Sequence, residues 1–228
     1  MCGRFALNAK TDELVTAFVA DGGNFADWKP SWNIHPTDTI PLVVESATTP
    51  LRRQVVAARW SLVPTWSKEL TLRYPTFNAR SETVAEKPSF RGSLASKRAI
   101  IPASGYYEWH TEAKVKTPHY IYPASGLLAF AALYSWWRAE PAADSEWVLT
   151  ATILTMDSVP ALAGIHDRNP VMLPRDWWDD WLAPEVHGDQ TFVDAAVAAS
   201  VPVAQSLRSH PVAPLRDNGP QLILPATT

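Results

Sequence analysis

The chain has 228 residues, 46% of them hydrophobic, enough to bury a substantial core as one large domain or two small ones. One cysteine excludes an internal disulfide and a cysteine-based zinc site, and no apolar run reaches the length of a membrane span. The net charge of −3 argues against indiscriminate nucleic-acid binding, yet residues 52–98 carry ten Lys/Arg against three acids, a local balance of +7.

In chain order, the first informative residue is the lone cysteine, Cys2, directly behind the initiator methionine. Loss of Met1 would put a free α-amine and a thiol on one residue, a 1,2-aminothiol able to trap an aldehyde as a thiazolidine ring. The two groups titrate at roughly 8 and 8.5 when unperturbed, so modest tuning would activate both. The plainer reading is a small, half-buried hydrophobe.

Thr11 to Ala20 reads as a helix, with acids in its first turn and Gly22 and Gly23 as its stop. Segments 39–45, 52–62, 98–109, 118–123, 127–137 and 146–156 are β-branched or aromatic runs of strand length between turn residues. A helical turn is expected at 158–164, and a helix near 174–183 whose Trp177, Trp178 and Trp181 have the spacing of a buried face. Asp189 is a plausible N-cap for an alanine-rich helix to about Ser200, followed by strands near 203–209 and 221–224. Twenty prolines keep the elements short. The expected architecture is α+β, a single domain over residues 1–228 with a mainly antiparallel, barrel-like β core flanked by short helices.

Four stretches carry more chemistry than packing needs: Cys2-Gly3-Arg4, Asn78-Ala79-Arg80-Ser81-Glu82, Gly105-Tyr106-Tyr107-Glu108-Trp109 and Gly164-Ile165-His166-Asp167-Arg168-Asn169-Pro170. Glu108 sits between aromatics, where burial would raise its pKa and suit it to acid or base work. Singly, each residue has a duller account: Glu108 in a salt bridge, His166 satisfied beside a turn, Asn78 as turn chemistry. The cations of 52–98 lie among Trp60, Trp66, Tyr74, Phe77 and Phe90, the ingredients of a single-strand path or of a solvated face over core aromatics. The six histidines are scattered, and no metal, phosphate-loop or dinucleotide motif occurs.

Together, Met1-Cys2-Gly3-Arg4-Phe5, Trp32-Asn33-x-x-Pro36, Arg59-Trp60-x-Leu62-x-Pro64-x-Trp66, Asn78-Ala79-Arg80-x-Glu82-Thr83, the Gly105–Trp109 strand, Ile165-His166-Asp167-Arg168-x-Pro170 and His210-Pro211-Val212 closely resemble the SOS-response-associated peptidase (SRAP) family. Its members link themselves covalently to abasic sites in single-stranded DNA. The resemblance implies that the Cys2 amine, once Met1 is lost, attacks the ring-opened sugar aldehyde to give a Schiff base, which the thiol closes to a thiazolidine. It implies that Asn78 positions the sugar and the terminal residue. Glu108 would move protons and assist Met1 removal, and His166 would assist ring opening and reversal. Arg4, Arg80 and Arg168 are the expected phosphate contacts, with Trp66 and Phe90 as base-stacking or wedge residues. Segment 213–218 is shorter than the stretch usual after His-Pro-Val in the family.

The expected partner is therefore single-stranded DNA containing abasic sites, engaged by a monomer with no cofactor, no metal and no membrane. Replication-fork proteins as partners are left unknown by the sequence. A reducing cytoplasm is the expected compartment, at the nucleoid in a bacterial cell. Two other readings stay open: an N-terminal-nucleophile cysteine amidase or peptidase, and a non-covalent single-strand binder.

Overall fold

The structure is a computed structural model that describes residues 2–18, 20, 28–46, 52–139 and 145–226. The chain opens with β1 (Phe5–Leu7), α1 (Thr11–Ala17), β2 (Ser31–Ile34), β3 (Thr39–Ser46), β4 (Arg52–Trp60) and the short β5 (Asn78–Arg80). Then come α2 (Arg91–Leu94), β6 (Arg98–Ala103), β7 (Gly105–Glu112), β8 (Val115–Tyr122), β9 (Leu128–Trp137) and β10 (Val148–Asp157). β11 (Arg168–Pro170), α3 (Trp178–Leu182), α4 (Gln190–Gln205) and β12 (Arg208–Pro211) complete the order.

Five strands close a mixed barrel. β3 pairs antiparallel with β4 along its whole length and touches β6 at Val43 and Ile100, while β6 pairs with β9 and β9 with β10. The ring closes through a parallel pairing of β10 with β4, Thr150 opposite Arg59. Beyond that contact β10 also carries β5 in parallel and β11 antiparallel. Strands buried on both faces need no apolar alternation, which is why every residue of β6 is buried. A second, antiparallel sheet has the order β12-β8-β7-β1-β2. It packs on the barrel through Phe5, whose ring meets Trp60 edge-on at 5.0 Å and Phe130 at 6.1 Å. This is the expected α+β, barrel-containing architecture.

Several local expectations are corrected. The run 98–109 is two strands: at Ser104 the chain leaves the barrel and enters the second sheet, the Ser104 amide donating to Ala6 O at 2.7 Å. Gly105 permits the crossing, because a Cβ there would lie 2.7 Å from Ile121 O and 2.5 Å from the Tyr120 ring. The 158–164 stretch does make the single helical turn expected, Ala163 N donating to Val159 O at 3.0 Å, within a series of turns. The 174–183 segment is a 3-10 turn, Arg175–Trp177, leading into α3, and of its tryptophans Trp178 and Trp181 are buried. Asp189 does cap its helix, Oδ1 accepting from Phe192 N at 2.8 Å. That helix continues past Ser200 and through Pro202 to Gln205, so residues 203–205 are helical and the strand begins at Arg208. The buried stripe Val193, Ala196, Ser200, Ala204 spans the proline, and packing outweighs the one missing donor. Segment 221–224 lies in a 3-10 turn, Pro220–Ile223, and not in a strand. The first helix ends at Ala17, and the stop proposed at Gly22 and Gly23 lies outside the described residues.

Arg98, only 2% exposed, ties the helices to the barrel. Its guanidinium donates to the carbonyls of Leu94, Ala95, Trp181, Ala183 and Val186 at 2.6–3.0 Å. A lysine ammonium cannot span that fan of acceptors. Arg98→Lys is therefore expected to destabilise the fold by about 2 kcal/mol in urea denaturation, and an unchanged midpoint would show that the carbonyls find other donors.

Candidate functional site

The chain enters β1 through Cys2, Gly3 and Arg4, at the junction between the barrel and the second sheet. Cys2 is fully buried, its Sγ–H aimed at Arg4 O at 3.7 Å. From the barrel side, Asn78 at the start of β5 donates through Nδ2 to Cys2 O at 2.7 Å. β5 owes its place to the parallel pairing of Asn78 with Ile153 on β10. From the second sheet, β7 contributes Glu108, 2% exposed. His166 comes from the turns after β10, with Nε2 3.8 Å from Glu108 Oε2. Four residues scattered over 165 positions of sequence therefore meet at one junction.

Burial sets the electrostatics of this group. It pushes the Glu108 carboxyl up to about 7, with the Asp167 charge also raising it. Burial, and then the Glu108 charge, push the Cys2 thiol well up, so at neutral pH Sγ carries its proton. The aminothiol was expected to be tunable at both groups; the fold instead holds the thiol in its protonated form. Burial lowers the His166 pKa, so the ring is neutral near pH 7. Its Nδ1 then accepts the Arg168 amide at 3.0 Å, which leaves the ring proton on Nε2, the atom facing Glu108. Asp167 Oδ1 lies 2.8 Å from the same Nδ1 and accepts from it whenever that nitrogen carries a proton.

Tyr106 shares the inner face of β7 with Glu108, two residues away, and is fully buried in the same cluster as Cys2. Its hydroxyl has no hydrogen-bond partner among the described residues, and burial, with the Cys2 and Glu108 charges, keeps it protonated. Sequence reasoning passed over it because nothing in Gly105–Trp109 says which tyrosine faces inward. Tyr106→Phe is expected to raise stability by about 1 kcal/mol in thermal denaturation, since it deletes an unpaired buried polar atom. A loss of stability would mean that the hydroxyl is paired in solution.

The cationic and aromatic candidates separate by environment. Arg80 and Trp66 are exposed, Trp66 by 63%. Beside Trp66 a cleft of about 270 Å³ is lined by Ser135 and by Arg91 and Lys97, two cations absent from the expected phosphate contacts. Phe90 is 9% exposed and belongs to the hydrophobic core. Arg168 is engaged by Glu82 at 2.7 and 3.0 Å, by Asp157 at 2.5 Å and by Thr155 O at 2.7 Å. Arg4 donates to Asn33 Oδ1 at 2.8 Å, and Asn33 in turn donates to Asp217 O at 2.7 Å. Asn218 Oδ1 accepts the Trp32 amide at 2.7 Å, so the short 213–218 segment is fastened to β2 and steadies Arg4 through Asn33. No helix among the described residues is long and apolar enough to cross a membrane.

Known proteins resemble the chain in sequence and in fold. The abasic site processing protein YoaM of Bacillus subtilis is 37% identical over 190 residues, covering 81% of this chain and 80% of its own. The abasic site processing protein HMCES of Xenopus tropicalis is 30% identical over 215 residues, covering 77% of this chain and 64% of its own. A crystal structure of a protein from Bacteroides thetaiotaomicron superposes with a TM-score of 0.82 at 22% identity, over 99% of this chain and 100% of that one, a likeness of fold. The profile of the family described as SOS response associated peptidase (SRAP) matches residues 1–215. The chain belongs to the SRAP family.

Proposed function

We propose that this protein repairs DNA by processing abasic sites in single strands, and that it does so by joining Cys2 covalently to the lesion. The names of the relatives support the lesion as the target. The observation that carries the chemistry is the meeting of Asn78, Glu108 and His166 around Cys2, with Asn78 Nδ2 holding the Cys2 carbonyl at 2.7 Å.

In this reading Met1 is removed first, with Glu108 assisting as base, and Cys2 becomes the amino terminus. His166, carrying a proton on Nε2, helps open the deoxyribose ring to its aldehyde. The Cys2 amine adds to C1′, and loss of water leaves a protonated Schiff base. Sγ then bonds to the same carbon while its proton passes to Glu108, and the C=N bond becomes the C–N bond of a thiazolidine. Because the thiol is held protonated, the amine reacts first and the thiol follows once Glu108 can take its proton. That order favours aldehyde trapping over a thiolate-first amidase. Asn78 holds the reacting residue in place.

Trp66 offers an exposed surface for base stacking, and Arg80 and Arg4 suit phosphates. Arg168, held by Glu82 and Asp157, and Phe90, in the core, shape the strand path from behind. The test is to mix the purified protein with an oligonucleotide bearing one abasic site, then heat and denature. A slower band with the abasic strand and none with an intact strand is the expected result. Absence of the band from protein that intact mass shows to lack Met1 would end this reading.

A further inference from the structure

We propose that His110 is a positioning residue for His166. The proposal rests on the reading above, in which His166 moves protons at the site. His110 lies two residues beyond Glu108 on β7 and on the same face, because side chains along a strand repeat every second residue. Its Nδ1 is 2.5 Å from Gly164 O, across 54 residues of sequence. Glu108 meets His166 at 3.8 Å, two residues beyond Gly164. One strand therefore clasps the Gly164–His166 stretch at two points of matching spacing, roughly 7 Å apart.

The stretch is also held by Ile165, packed against the core, and by the Arg168 amide on His166 Nδ1 at 3.0 Å. It follows a series of turns, with Ile165 N and His166 N both donating to Leu162 O at 2.8 and 3.3 Å. A carbonyl oxygen only accepts, so His110 must carry a proton on Nδ1. Both the neutral Nδ1–H ring and the imidazolium satisfy that requirement. The charged groups around His110 are Glu112, whose Oε2 is 3.8 Å from Nε2, and His119, whose ring lies 6.2 Å away edge-on. Protonation of His110 adds attraction to Glu112 and leaves the bond to Gly164 in place. The tether thus holds the His166 backbone over the whole range in which Glu108 and His166 exchange protons.

Two substitutions separate the donor from the bulk. In His110→Asn the amide Nδ2 stands near the place of the imidazole Nδ1 and still donates; in His110→Leu the volume stays and the donor goes. The His166 ring is titrated by NMR in DNA-free protein, and crosslinking of an abasic oligonucleotide is timed between pH 5.5 and 8.5. The Leu variant is expected to shift the His166 titration and slow crosslinking roughly tenfold with DNA affinity unchanged, while the Asn variant stays within twofold of wild type. A Leu variant with the wild-type His166 titration, or an Asn variant as impaired as the Leu one, overturns the proposal. The NMR arm involves no DNA, so it decides the tether even where wild-type protein forms no adduct.

Discussion

Replacing Cys2 by alanine should remove the heat-stable adduct completely while leaving the first chemical step intact. The variant should still lose Met1 and present an α-amine, and so should form a Schiff base that borohydride reduces to a permanent link. Without Sγ to close the ring, that intermediate proceeds by β-elimination, and the abasic strand should be cut faster than by wild type. A residue left ahead of Cys2 should remove adduct, trapped species and incision together, because it takes away the free amine on Cys2. Denaturing gels of an end-labelled strand distinguish the three outcomes. A heat-stable adduct from Cys2→Ala would show that another residue is the attachment point.

Glu108→Gln should slow crosslinking by about a hundredfold or more, the usual range for removing a positioned acid or base. It should also flatten the pH profile around neutrality, where a carboxyl titrating at about 7 changes from proton donor to acceptor. Stability should respond in the opposite sense. Burial raises the folded pKa from 4.5 to about 7, so the folded state binds this proton more tightly than the unfolded chain. That contribution is complete below the unfolded value and is lost as pH rises through about 7. Glutamine stays neutral throughout, so the stability of the variant relative to wild type should rise by about 3 kcal/mol between pH 4 and pH 8.5. Urea titrations at the two pH values check this, and an equal difference at both would mean that folding does not raise the Glu108 pKa.

How much could be read in advance varies with the length over which a signal extends. The strands β3, β4, β9 and β10 were visible as long β-branched runs, and α1 and α4 were visible by the acids of the first turn and by the Asp189 cap. β1, β2, β5 and β11 have three or four residues each and no periodicity to detect. β1, β5 and β11 are strands because longer neighbours supply their hydrogen bonds, and β2 in turn pairs with β1. The single run 98–109 divides because Ser104 pairs with Ala6, ninety-eight positions earlier, a contact that no local pattern encodes. Helix α4 passes Pro202 because its buried stripe continues on the far side. Among site residues, Cys2, Asn78, Glu108 and His166 stood out as residue types in over-specified stretches. Tyr106 and His110 did not, since their interest lies in which face of β7 is inward and what crosses it.

By itself the sequence determined the chemical inventory: one aminothiol, a carboxyl between aromatics, a histidine in a charged turn, a basic aromatic stretch, and motifs specific enough to mark the family. These are properties of residue identity and short spacing, which a chain carries whether folded or not. Only the tertiary structure decided which residues meet and in what protonation state. Closing the barrel through β10 and β4 sets β5, and with it Asn78, against Cys2, while the change of sheet at Ser104 turns Glu108 inward. Enclosure at that junction removes water from Cys2 and Glu108, and desolvation then holds the thiol protonated and lifts the carboxyl toward neutral pH.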